Sequence, residues 1–244
     1  MTYPGHARAV LVLGLPLIGG HLAQFAIGLT DTVMLGWYDV AALAAATLAH
    51  SYFFAFFMLG SGFALAVMPL VATAVASDDE LGSRRSTRMG LWLSLGFALA
   101  VLPLMWWSEP VLRLLGQGDQ VATDAARYLR IAGFGMIPAL LVMVLKSYLA
   151  ALERTRVVFW ITVLAALTNG LGNYMMIFGN WGAPELGLTG AAVSSVITQS
   201  VSLLAITVYA ARVLPEHHLF RRLWRPDWQM LARVFRLGVP IGMT

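Results

Sequence analysis

Residues 11–35 read LVLGLPLIGGHLAQFAIGLTDTVML, an apolar run long enough to cross a bilayer that nevertheless carries a carboxylate, Asp31. An ionisable group at hydrocarbon depth costs roughly 2.5 to 3.5 kcal/mol on the lenient insertion scale, so it marks a functional site by default. His21, Gln24, Gly28 and Asp31 recur at helical spacing and fall on one stripe less than a quarter turn wide. Such a stripe is expected to line a cavity rather than face lipid. Pro16, a turn and a half before His21, lacks a backbone donor and is the expected hinge of this helix.

Working outward, the whole chain has the same character. Of its 244 residues, 59% are hydrophobic and only 11% charged, against about 25% charged in soluble domains. Mean hydropathy is +0.75. This is the composition of a polytopic membrane protein. The net charge of +4 does not indicate nucleic acid, because the arginines sit in short clusters between apolar runs, where they act as topology signals. There is no cysteine, which excludes disulfides and thiolate metal sites. The first run is too long for the apolar part of a signal peptide and is read as an uncleaved span.

Six stretches meet the length needed to span, at about residues 9–35, 43–76, 88–108, 126–151, 157–178 and 188–211. The expected fold is therefore all-α, a bundle of six transmembrane helices within residues 1–212. Arg8, Arg84, Arg85, Arg88, Arg154, Arg156, Arg212, Arg221, Arg222, Arg225, Arg233 and Arg236 would share one side, and only Arg113, Arg127 and Arg130 the other. The positive-inside rule then places the N-terminus in the cytoplasm, with a bacterial inner membrane as the expected location. Lys146, a turn from the cytoplasmic end of span four, reads as a snorkelling lysine. His50 reads as interfacial.

Residues 213–236, rich in Arg and Trp, are expected to link at the cytoplasmic interface. The adjacent His217 and His218 within them are a poor metal signal. Beyond them, RLGVPIGMT at 236–244 repeats LGLPLIGG at 13–20, Gly238 and Pro240 matching Gly14 and Pro16. Residues 237–244 thus read as the start of a seventh helix and of a second lobe, the parallel-repeat arrangement of many transporters.

Polarity outside the first span concentrates in two places. Asn169 and Asn173 in span five are i, i+4 neighbours, and Gly170 and Gly172 beside them would let another backbone approach. Ser194 and Thr198 in span six form a second such pair and could line the same interior, or serve only as helix glue. No nucleotide-binding loop, H-E-x-x-H, G-x-S-x-G or paired intramembrane carboxylates are present, so neither an ATP-driven machine nor an enzyme is expected.

Pro16 ahead of DTVMLG, GSGFALAVMPLV in span two, N-x-x-x-N-Y in span five and GAPELGLTGAAVSSVIT leading into span six together resemble the MATE (multidrug and toxic compound extrusion) transporters, most closely the NorM-like branch. The resemblance implies the N-terminal lobe of a twelve-helix transporter that exports cationic amphipathic compounds in antiport with protons or sodium ions. It needs no further cofactor, and its partners would be drug-like organic cations, the bilayer and a C-terminal lobe. It also implies cation or proton coupling at Asp31, Asn169 and Asn173; by the spacing read above, His21, Gln24, Gly28, Ser194 and Thr198 would line the cavity beside them, His21 either so or as a neutral histidine donating to a helix carbonyl. Some relatives carry an aspartate where Asn173 stands, which leaves proton storage in this lobe resting more heavily on Asp31. A flippase for lipid-linked or polyanionic cargo, or a channel or structural subunit, are the rival readings. An isolated lobe would be inactive, since the cavity needs walls from both.

Overall fold

Proline and glycine recur inside the apolar runs, yet each run folds as one unbroken helix, because in a membrane every backbone group must find its partner within its own segment. The computed structural model describes residues 3–213, 219 and 226–243, with side chains from residue 14 onward except Leu17. Six long helices, α1 (Tyr3–Tyr38), α2 (Val40–Ala76), α3 (Glu80–Trp106), α5 (Asp119–Ala151), α6 (Thr155–Met176) and α7 (Leu188–Val213), overlap the six expected spans, and among the described residues five of them, all but α1, are long and apolar enough to cross a membrane. Two shorter α-helices, α4 (Ser108–Leu114) between α3 and α5 and α8 (Trp228–Gly242) after α7, and a short 3-10 helix (Asn180–Gly182) between α6 and α7 complete the helices of the described residues. No strand occurs among the described residues.

The helices outrun the apolar stretches at several ends. The first two turns of α3 are polar, but Asp79 caps them by accepting from the Gly82 N–H at 2.8 Å, and the Ser86 and Thr87 hydroxyls bond back to the Gly82 and Ser83 carbonyls. Asp39 caps α2 in the same way, accepting from the N–H groups of Ala41 and Ala42. Hydropathy alone cannot see turns stabilised by such local bonds.

α5 is the centre of the bundle. It packs along α2, α3 and α7, while α1 lies mainly on α6. α2 meets α5 through small residues, Ala45, Ala46 and Ala49 being almost fully buried. Close backbone approach of this kind, with dispersion in place of a hydrophobic drive, is how helices associate in lipid. On the outside of α1, Leu15, Ile18, Leu22, Phe25 and Leu29 are exposed, as expected of a membrane helix on its open side.

Residues 1, 2, 214–218, 220–225 and 244 lie outside the described residues, and with them His217, His218 and 11 of the 24 residues of the expected linker. The expected boundary at 236/237 falls inside a helix, α8. α8 runs through it as a single helix and packs on α2 and α3. Its Gly238 and Gly242 sit against Gly62 and Leu59 so closely that a Cβ on Gly62 would lie 2.2 Å from the Gly238 carbonyl oxygen. The first turn of α8 is fixed by Asp227, which accepts from the Met230 N–H at 3.1 Å and pairs with Arg85 on α3.

Candidate functional site

Asp31, Asn169, Asn173, Ser194 and Tyr128 come from four helices, α1, α6, α7 and α5, and meet near the end of the bundle opposite the arginine-rich turns. Asp31 lies two turns before the end of α1, at about 10 Å of helix rise, and is only 5% exposed. Asn169 and Asn173 are 1% and 0% exposed, on the α6 face that α1 covers. The Asn173 Nδ2 group donates to Asp31 Oδ1 at 2.5 Å and stands 3.5 Å from Asn169 Oδ1. Ser194 Oγ on α7 donates to the Asn169 carbonyl at 3.2 Å. That contact depends on Gly172, where a Cβ would come within 2.4 Å of Ser194 Oγ. At Gly170 a Cβ would meet its nearest atom at 3.9 Å, so only one of the two glycines is needed for close approach.

Not every residue of the expected α1 stripe joins this cluster. His21, Gln24 and Gly28 are exposed, because α6 covers only the edge of the stripe that carries Asp31. Thr198, by contrast, is buried, and its Oγ1 has no hydrogen-bond partner. Pro16 sits inside an unbroken α1 and leaves the carbonyl one turn before it without its helical donor.

His50 is a correction. Rather than lying at the interface, it is half-buried, its Nε2 is 2.7 Å from the Tyr128 hydroxyl, and it stands within electrostatic reach of Asp31. Tyr128 is fully buried and also reaches Ser195. The signal was in the sequence: His50 extends the i, i+4 row of Ala42 and Ala46, small residues that are both buried. Lys146 Nζ, at the other end of the bundle, donates to Thr162 Oγ1 at 2.9 Å.

The chemistry available at Asp31 is that of one carboxylate among neutral oxygens. Asn173 Oδ1 is buried without a partner, and Asn169 Oδ1 and Ser194 Oγ lie beside it. A proton on Asp31, or a small hard cation among these oxygens, would satisfy the set, and an isolated charge would not. Among the described residues no cluster of three or more His, Cys, Asp or Glu could hold a transition metal.

A model of the MatE family matches residues 16–175, more than half of the chain. The chain belongs to the MatE family. This MatE chain is 43% identical over 241 residues to the probable multidrug resistance protein NorM of Agrobacterium fabrum, covering 98% of itself and 52% of the relative. It is 44% identical over 248 residues to the protein of the same name from Rhizobium meliloti, covering 100% of itself and 52% of the relative. It therefore spans about half the length of the curated relatives it matches. Its fold is that of a multidrug resistance MATE family transporter of the MOP superfamily solved in an outward-facing conformation, with a TM-score of 0.85 at 20% identity over 97% of this chain and 52% of that one. The MatE chain is a multi-pass membrane protein of a transporter family.

Proposed function

We propose that this chain is one lobe of a two-lobe secondary transporter that exports cationic amphipathic compounds from the bacterial cytoplasm in exchange for protons or sodium ions. The observation that carries the proposal is the buried contact of Asp31 with Asn173, in a pocket that Asn169 and Ser194 complete. The half-length match to proteins named for multidrug resistance supports it, as does the absence of a nucleotide-binding loop from the sequence. In this reading residues 1–212 form the N-terminal lobe with the N-terminus in the cytoplasm, residues 213–236 connect, and residues 237–244 open the second lobe.

The mechanism follows from the cost of burying charge. Ionised, Asp31 attracts an organic cation and favours a hydrated, open cavity. Carrying a proton or paired with sodium, it loses that attraction, and α1 can bend at Pro16 and close over the cavity. Coupling needs nothing more than this difference in affinity between two states, about 1.4 kcal/mol for each unit by which the proton affinity differs. In the full-length protein, Asp31→Asn is expected to abolish growth protection against a cationic drug while leaving membrane insertion intact. Normal resistance would contradict the proposal.

A further inference from the structure

We infer that Lys146 is a second protonatable group of the same transport cycle, at the arginine-rich end of a buried polar column that begins at Asp31. The inference rests on the reading of Asp31 as a proton-coupling group and adds an inner terminus to it. On α6, Thr162, Asn169 and Asn173 are spaced so that they fall on one face of the helix, and their exposures are 2%, 1% and 0%. From Asn173 to Thr162 that face rises about 16 Å.

The antiparallel register of α7 on α6 is fixed by two contacts. Ser194 donates to the Asn169 carbonyl, and Gly190 lies against Met176, where a Cβ would sit 2.2 Å from the carbonyl oxygen. Successive turns of α7 then bring Thr198 level with Ala165, and Ser202 level with Thr162. Ala165 is the one apolar gap in the α6 row, and the partnerless Thr198 Oγ1 is buried at that level. A buried hydroxyl left without a partner destabilises the fold. A water molecule there would satisfy it and join the amides above to Thr162 below. Thr162 Oγ1 in turn donates to the Val158 carbonyl and accepts from Lys146 Nζ, both at 2.9 Å.

A lysine that merely snorkels sends its ammonium toward headgroups. Lys146 instead turns to a buried hydroxyl on the neighbouring helix, and among the described residues it takes part in no ion pair. The ionisable or charged groups at this end of the surrounding elements are Tyr148 on α5, Glu153 and Arg154 in the turn after it, Arg156 on α6, Tyr209 and Arg212 on α7, Asp78 and Asp79 in the turn after α2, and Glu80, Arg84, Arg85 and Arg88 on α3; the inner half of α2 has none. Among the described residues none of these carboxylates pairs with the Lys146 ammonium. A proton leaving the Asp31 carboxyl passes along the column and its water to the Lys146 amine, giving an ammonium and leaving a carboxylate. The ammonium then releases that proton to water at the arginine-rich end and returns to the amine. An arginine could not make this step, because its guanidinium does not deprotonate.

The test uses the full-length protein in vesicles loaded with a pH-sensitive dye, with ethidium as the exported cation. Each variant is first checked for membrane insertion and a monodisperse size-exclusion profile as evidence of folding. Lys146→Arg is expected to lower ethidium-driven proton flux by at least about tenfold, Lys146→His to retain a measurable part of it, and Thr198→Val to slow it several-fold. Lys146→Arg matching or exceeding Lys146→His would show that only a fixed charge is needed and would overturn the inference; so would an unchanged Thr198→Val, should the arginine variant not fold. If Asp31→Asn keeps wild-type flux, the coupling role of Asp31 itself fails. If Asp31→Asn loses flux while Lys146→Arg keeps it, the part assigned to Lys146 alone fails.

Discussion

A carboxylate inside a bundle is only as stable as the donors that reach it. Asp31 has one close donor, the Asn173 amide, with Asn169 beside that. Removing it by Asn173→Ala leaves a buried acceptor unmet, at a cost of about 1 to 3 kcal/mol. Purified variant protein in detergent is expected to melt several degrees below wild type at neutral pH, and the loss should shrink when Asp31→Asn is added. The contact was legible because a charge stands out in an apolar run and because Asn169 and Asn173 share a helix face. The fate of His21 and Gln24 was not, since periodicity defines a face but not how much of it a neighbour covers. His50 was misplaced for a related reason. Its position near the end of α2 suggests an interface, and only the Tyr128 hydroxyl on α5, far away in sequence, makes it interior.

Among the elements, α8 shows how polar and apolar contacts divide the work. Gly62, Gly238 and Gly242 let α8 lie against α2, while the start of the helix is pinned by Asp227. The Arg85 guanidinium beside Asp227 holds its carboxyl below the usual carboxylate range, aided by the Met230 N–H and opposed by partial burial. A carboxyl depressed in the folded state contributes stability above about pH 4, its unfolded value, and loses it as pH falls through the folded value. Both partners are partly exposed, so the contribution is about 1 kcal/mol or less. Protection against hydrogen exchange in residues 228–242, normalised to the intrinsic exchange rate at each pH, is expected to be lower at pH 3 than at pH 5, and Asp227→Asn should remove the difference. Helix existence was readable from six apolar runs, whereas helix ends were not: Asp79 caps a helix that starts in polar sequence, and Asp39 and Asp227 start theirs earlier than hydropathy places them.

For the whole molecule, orientation and coupling belong together, because an ion gradient has meaning only if the two ends of the bundle face different solutions. Twelve of the sixteen Lys and Arg residues fall in segments assigned to one end, which predicts a cytoplasmic N-terminus. The absence of cysteine makes this simple to test in intact cells. A membrane-impermeant maleimide should label Gln117→Cys, in the turn before α5, and spare Ser77→Cys, in the turn after α2; the reverse pattern would invert the topology. The central claim, that the charge on Asp31 governs the affinity for an organic cation, is tested most directly by ethidium binding to the purified full-length protein between pH 6 and pH 8. Wild type is expected to bind more weakly at the acidic end and Asp31→Asn to bind weakly and equally at both. An unchanged pH dependence in Asp31→Asn would contradict the account.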